Sequence, residues 1–288
     1  MRVANYEYSE KIGQGAFGEI YKGQNVRTGE MVVVKMEPLN TNAKFSTLKH
    51  ESSILNILYS KHCRNIPPTY WYGVIDGDPI SYRVLVMPFY EESLEHIPVK
   101  SAQMASNIMR SAISILNHIH DKYVVHRDIK PANFMIHNNE LVLIDFGLAA
   151  FYVDSCEKHI APAATALKKR HIIGTPKYAS WNVHCGEEYS RRDDLMSIVY
   201  IGLFLLYGKA HLWTDYHLNP TQDVATTDQC LLTHPRNQWF REKKELANII
   251  NMSSQWPALQ LFATNVYALS FQERPSYKSY IELFAKTI

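Results

Sequence analysis

His126-Arg-Asp-Ile-Lys-Pro-Ala-Asn133-Phe134, followed downstream by Asp145-Phe146-Gly147, is the stretch on which the reading of this chain turns. It places a carboxylate, Asp128, two residues before an ammonium, Lys130, and five before an amide oxygen, Asn133. Moving a terminal phosphate onto a hydroxyl calls for those groups. A carboxylate orients the hydroxyl and takes its proton. Magnesium neutralises the phosphate oxygens and is itself held by hard oxygen ligands. Asp128 suits the first task, and Asn133 and Asp145 suit the second. A lone His-Arg-Asp would carry little weight; the spaced asparagine and the Asp-Phe-Gly after it make the pattern specific.

Working outward, Tyr6 to Lys22 reads as a strand, a glycine loop and a second strand. In Gly13-Gln-Gly15-Ala-Phe-Gly18-Glu-Ile20 the glycines let backbone N–H groups approach phosphates with no Cβ in the way. Ile12 and Ile20 flank them, so Ile12, Gly13, Gly15, Gly18 and Ile20 form the expected nucleotide loop. Such a loop also opens dinucleotide-binding folds. Here Ile20-Tyr-Lys-Gly runs on as a β-prone segment rather than a helix, and no acidic residue ends a second strand as a ribose ligand. Met31-Val-Val-Val-Lys35-Met is an apolar strand carrying a lysine suited to the α- and β-phosphates. A strand lysine simply exposed to water is the plainer alternative. Leu48, Ile54, Leu55 and Leu58 recur at helical spacing, and Glu51 within that helix is the natural partner of Lys35. The plainer reading of Glu51 is a solvated helix carboxylate.

At 288 residues, 46% hydrophobic and 20% charged, the composition is that of an ordinary soluble protein with room for one large core or two smaller ones. A net charge of +2 gives no case for a nucleic-acid face. Cys63, Cys156, Cys185 and Cys230 show no zinc spacing and read as reduced thiols of a cytosolic or nuclear protein. The polar N-terminus gives no secretory signal. The longest apolar run, Ile198 to Tyr207, is about half of the ~20 residues a membrane span needs and reads as a buried helix. No membrane partner is expected, and a monomer is the default.

Two regions follow from the patterning, giving an α+β class. Residues 1–87 are strand-rich and end in Tyr82-Arg-Val-Leu-Val-Met87, which Pro88 stops. Residues 88–92 form a hinge. Residues 93–288 turn helical, beginning with an apolar face of Met104, Ile108, Ala112, Ile115, Leu116 and Ile119. A nucleotide is expected in the crevice beneath the hinge, with Met87 at the back of the adenine pocket. Pro88 has a carbonyl to offer but no N–H; Tyr90 is expected to supply the N–H.

From Tyr6 to Phe284 the chain resembles a eukaryotic protein-kinase domain, and its details resemble the casein kinase I family. Where most kinases end the activation segment in Ala-Pro-Glu, this chain has Ser180-Trp-Asn182, similar to that family's Ser-Ile-Asn. Tyr189-Ser-Arg191-Arg192-Asp193-Asp194-Leu-Met-Ser197 follows the family's SRRDD stretch, and His50-Glu51-Ser52 and the Ile66-Pro67 to Trp71-Tyr-Gly73 segment also match. Tau-tubulin and vaccinia-related kinases are the near alternatives. The resemblance implies a bilobal fold, with a β-rich N-lobe and a mainly helical C-lobe. It implies ATP as co-substrate, Mg2+, and serine or threonine acceptors in acidic or phosphorylated protein contexts. Lys130 implies serine/threonine specificity. Lys177, Arg192, Lys169 and Arg170 are the expected anion site, Lys177 standing where the family carries arginine and lacking its fork. The run Lys168 to His171 could equally be a solvated loop face.

Asn182 replaces a glutamate that in most kinases pairs with an arginine, here Arg274. It would offer that arginine a neutral hydrogen bond only, and Trp181 packing is expected to hold the substrate-binding loop. Asp194 is expected to accept main-chain N–H bonds from the catalytic loop. Arg127 would suit a phosphorylated activation loop, with Thr165 and Thr175 as candidate sites. The family's activity without such phosphorylation argues that Thr175 instead bonds near Asp128 and Lys130. The resemblance implies that a tail often follows the last helix pattern, here Tyr280 to Ala285. Two other classes compete. A pseudokinase scaffold would usually have lost Lys35, Asp128 or Asp145, and a small-molecule kinase fits the Gly174-Thr-Pro-Lys-Tyr turn poorly.

Overall fold

Val32, Val34 and Met36 alternate with Val33 and Lys35 along one strand, and that period of two decides which side chains are buried together. The computed structural model describes residues 1–15, 18–39, 46–77, 79–161, 172–208, 213 and 234–285. It divides into two compact units, Met1–His96 with Phe134–Ala149, and Ile97–Asn133 with Ala150–Ile288.

The first unit is built on an antiparallel sheet of β1 (Arg2–Val3), β2 (Tyr6–Gly15), β3 (Gly18–Asn25), β4 (Met31–Pro38), β5 (Trp71–Ile75) and β6 (Tyr82–Pro88), in the order β1-β2-β3-β4-β6-β5. Val32, Val34, Met36, Val84 and Val86 bury one face with Val3 and Tyr8. The register sets Lys35 beside Leu85 and Val33 beside Met87, so these four share the opposite face. Helix α1 (Thr47–Ser60) packs there and buries Leu48, Ile54, Leu55 and Leu58 as the spacing predicted. Its N-terminus is capped twice. Ser46 accepts from the Lys49 N–H, and the Glu37 carboxylate, from the end of β4, accepts from the Thr47 N–H and hydroxyl, both at 3.1 Å. A negative charge at that end also suits the helix dipole.

The hairpin of β9 (Phe134–His137) and β10 (Glu140–Leu143), with β7 (Glu92–Ser93) on its outer edge, belongs to the same unit. Asn138 and Asn139 both take positive φ in its two-residue turn, as a type I′ connection requires. Leu94 N–H donates to the Phe134 carbonyl at 2.7 Å, and Leu143 N–H donates to the Asn65 carbonyl at 2.9 Å. A single cut at 88–92 therefore does not describe the units. These non-local bonds make Phe134–Ala149 part of the sheet-rich unit.

In the second unit, α2 (Ala102–His120) buries Ile108, Ala112, Ile115, Leu116 and Ile119 as expected, while Met104 is only half-buried. It packs on α4 (Arg191–Tyr207) and α8 (Tyr277–Ala285). Helix α4 is apolar on every side beyond its first turn and buried accordingly. The unit is completed by α3 (Trp181–His184), α5 (Pro235–Lys243), α6 (Leu246–Met252), α7 (Pro257–Tyr267) and the two-stranded pair β8 (Val124–Val125) with β11 (Ala150–Phe151). No helix among the described residues is long and apolar enough to cross a membrane.

Candidate active site

In the sheet-rich unit the glycine loop closes β2 onto β3, with Gly13 opposite Ile20 and Gly15 opposite Gly18. Gly18 has φ +147°, and a Cβ there would lie 2.0 Å from the Met36 carbonyl oxygen. Only glycine fits so close to β4. Ile12 is exposed on β2, and Ile20 is half-buried on β3.

The Lys35 ammonium lies 2.7 and 2.9 Å from the two Glu51 oxygens and 3.3 Å from Asp145 Oδ1. Burial disfavours that charge, but Asp145 and Glu51 outweigh it and hold the lysine pKa above its ordinary value. Burial also pushes the Glu51 carboxyl upward, against the pull of Lys35. With Lys35 firmly protonated and bidentate on it, the pair is ionic. Two further bonds tie α1 to the Asp-Phe-Gly segment: the Phe146 backbone N–H to Glu51, and His50 Nε2 to the Ala149 carbonyl at 2.7 Å. Phe146 is fully buried, and Asp145 adopts a left-handed φ of 69° that few non-glycine residues hold. Gly18, Ile20, Lys35, Glu51, Asp145 and Gly147 line a cavity of about 80 Å³.

Met87 is buried in β6. The Phe89 N–H is taken by the Met31 carbonyl at 3.1 Å, whereas the Tyr90 N–H makes no backbone bond among the described residues. The Tyr90 ring lies edge-on to His137, and its hydroxyl is pushed up to about 12 by burial and by Glu30.

In the helical unit the catalytic-loop residues form one network. Asp128 Oδ1 accepts from the Thr175 N–H and hydroxyl, both at 2.8 Å; Oδ2 accepts from Lys130 at 2.5 Å and Asn133 Nδ2 at 3.2 Å. Lys130 also donates to Thr175 Oγ1 at 3.0 Å. The Asn133 amide nitrogen is thus spent on Asp128, including its carbonyl at 2.9 Å, which leaves the side-chain oxygen as a hard ligand. Asp194 accepts from the His126 and Arg127 N–H groups at 2.8 and 3.0 Å, and from His120 at 2.9 Å. Burial works against this carboxylate, yet the His120 bond and charge leave its pKa below the ordinary value. Gly174 (φ +86°) passes so close that a Cβ would lie 2.3 Å from the Arg127 carbonyl oxygen. Arg127, its charge disfavoured by burial, lines a cavity of about 490 Å³ with Tyr152, His159, Tyr189 and Phe271.

Two expectations are corrected. Arg192 is buried, paired with Glu187, and bonded to the Leu269 carbonyl at 3.2 Å, so its guanidinium is committed internally and not offered to a substrate anion. Asn182 does not meet Arg274. It donates to Asp193 Oδ1 at 3.2 Å, while Arg274 is largely exposed and bonds Asp121. Lys177 is half-buried, and Trp181 is half-buried at the start of α3. Lys168, Lys169, Arg170, His171, Thr165 and Cys230 lie outside the described residues.

Other groups were missed. Asp193 accepts from Ser180, Asn182 and the Ser190 N–H, and burial lifts it to about 6. His120 joins Asp194 to Tyr277. Lys244 and His184 are fully buried under the segment after Thr175. Polar residues inside an apolar pattern are the signal that marks them, but it does not name their partners. The family model for the protein kinase domain matches residues 6–283. The chain belongs to that family, which has the bilobal α+β kinase fold and uses ATP to phosphorylate proteins.

Proposed function

We propose that this protein is a magnesium-dependent serine/threonine kinase of the casein kinase I type. The observation that carries the reading is the closed network of Asp128, Lys130, Asn133 and Thr175. Asp128 is held by four donors with both oxygens fixed, as a group that orients an acceptor hydroxyl and takes its proton must be. Lys130 would steady the transferring phosphoryl group. Lys35, fixed by Glu51, would bind the α- and β-phosphates. The Asn133 and Asp145 oxygens suit magnesium, which when bound would neutralise phosphate charge. Pro88 and Tyr90 would bind adenine through the main chain.

Serine/threonine specificity rests on Lys130, and the casein kinase I type on Ser180-Trp-Asn182 and the Arg191-Arg192-Asp193-Asp194 stretch. A preference for acidic or phosphorylated contexts would fall to Lys177 with Lys169 and Arg170, since Arg192 is committed to Glu187. With lysine as a point charge at 177, the preference for phosphorylated primers should be modest.

The test is phosphate transfer from labelled ATP and magnesium to casein, an acidic serine peptide, its tyrosine counterpart and a pre-phosphorylated version. Asp128→Asn is expected to lower kcat by at least ~10³-fold with ATP binding retained. Transfer to tyrosine, or none with ATP bound, would sink the reading.

A further inference from the structure

Lys244 follows directly on α5 and is completely buried, yet no carboxylate among the described residues faces it. A buried amine is stable only where its N–H groups find acceptors. Lys244 has three. Its Nζ lies 2.9 Å from the Pro176 carbonyl, 2.6 Å from the Ala179 carbonyl and 3.1 Å from His184 Nε2.

The histidine's tautomer follows from its other nitrogen. Asn237 donates through Nδ2 to the His184 carbonyl at 2.8 Å, which turns its side-chain oxygen toward His184 Nδ1 at 2.5 Å. That oxygen can only accept, so Nδ1 carries the hydrogen, while Nε2 lies 3.1 Å from both Lys244 Nζ and the Pro176 carbonyl oxygen. The same ammonium sits 4.7 Å from the Tyr200 ring centroid, 4.8 Å from Phe240 and 5.8 Å from Trp213, within cation–π range. Burial pulls the Lys244 pKa well below its ordinary value, and two main-chain carbonyls, a histidine and surrounding ring faces hold its nitrogen in one place.

What the seat grips is the segment after Thr175. Pro176 and Ala179 bracket it, and the Tyr178 carbonyl between them accepts from Ser197 Oγ at 2.7 Å. The Tyr178 and Ala179 N–H groups both return to the Thr175 carbonyl, at 2.8 and 2.9 Å. Thr175 in turn bonds Asp128 and Lys130. A continuous set of bonds therefore runs from Lys244 through this turn to the catalytic-loop carboxylate. Among the described residues the carboxylate–arginine lock of most kinases is not formed: Asn182 stands at the carboxylate's place and bonds Asp193, while Arg274 bonds Asp121.

We propose that Lys244 is a positioning residue for the peptide substrate, clamping the Pro176–Ala179 turn from beneath in place of the absent carboxylate–arginine lock. The proposal rests on the kinase reading above. It is a role exerted through main-chain carbonyls, so its mark should be on peptide recognition rather than on nucleotide binding.

The experiment compares wild type with Lys244→Met, which keeps length and apolar packing but donates nothing. Two readouts are taken: steady-state kinetics in peptide and in ATP, and amide hydrogen exchange of Lys177–Ala179. Exchange of those amides should rise at least tenfold, and peptide KM at least tenfold, with ATP KM within twofold of wild type. Unchanged loop exchange overturns the clamp. A fall in kcat with both KM values unchanged also overturns it, because that is the mark of a smaller folded fraction alone. Should Lys244→Met fail to fold, Asn237→Ser frees the His184 tautomer and should raise peptide KM about threefold with faster loop exchange; wild-type values there overturn the proposal. The exchange readout needs no turnover. A wild type that phosphorylates no peptide defeats the kinase reading and the substrate role with it, whereas unchanged exchange beside an active wild type defeats the clamp alone.

Discussion

His184 shows how a single buried side chain sets a response of the whole protein to pH. Burial and the neighbouring Lys244 charge lower its pKa from 6.5 to about 3. In the unfolded chain it titrates near its ordinary value, so the unfolded state binds the extra proton first as pH falls. The stability that comes from keeping His184 neutral is thus complete above pH 6.5 and is lost progressively between 6.5 and 3. The slope approaches about 1.4 kcal/mol per pH unit, or about 2 kcal/mol between neutrality and pH 5. Urea unfolding at pH 7.5 and pH 5.0 should show that loss in wild type and a flatter dependence in His184→Gln. Parallel curves would mean the histidine titrates normally. At this scale the sequence is legible where a motif fixes spacing, as for Asp128, Lys130 and Asn133. It misleads where a partner is distant. Arg192 reads as an available cation because nothing in Ser-Arg-Arg-Asp-Asp announces that Glu187 and the Leu269 carbonyl enclose it.

Helix α1 is the element on which the sheet-rich unit's chemistry depends. It is fixed at its start by Glu37 and at its second turn by His50 and Glu51, which reach Ala149, Phe146 and Lys35. Glu51 is 2% exposed, so Glu51→Gln removes a carboxylate whose partner cannot retreat to water. Breaking a buried pair from one side costs about 3–5 kcal/mol. Asp145, 3.3 Å from Lys35, offsets part of this, so the expected loss lies near the lower end of that range. Two measurements check it: the urea midpoint should fall, and ATP KM should rise at least tenfold as the lysine swings toward Asp145. An unchanged ATP KM would show that Glu51 does not position the lysine. The helix was readable because Leu48, Ile54, Leu55 and Leu58 keep its period, and Glu51 could be matched to Lys35 by position. The His50 and Phe146 bonds were not, since they depend on the path of the Asp-Phe-Gly segment rather than on any local pattern.

For the whole chain, the division into strand-rich and helical parts followed from patterning, but the membership of Phe134–Ala149 did not. Strand β7 is two residues long, too short for any period to declare it, and its pairing with β9 spans a long stretch of helical sequence. The consequence is testable. Residues 1–96 alone lack the hairpin that accepts from the Leu94 N–H, and they leave Asn65 without Leu141 and Leu143. Polar main-chain groups stripped of partners in this way cost roughly 1–3 kcal/mol each where they stay buried. The cost falls on a sheet that must stabilise itself with a small core. The 2.7 Å bond from the Leu94 N–H to the Phe134 carbonyl lies two residues from one cut end and at the other, so a linker of about four residues can rejoin 1–96 to 134–149. The expected result is a broad, weakly cooperative thermal transition for 1–96 and a sharper one at higher temperature for the rejoined chain. Near-ultraviolet circular dichroism of Trp71 and the sheet tyrosines provides the signal. Equal transitions in the two would mean that the hairpin is a passenger on a self-sufficient sheet, and that the non-local bonds locate the catalytic segment without supporting the unit that carries it.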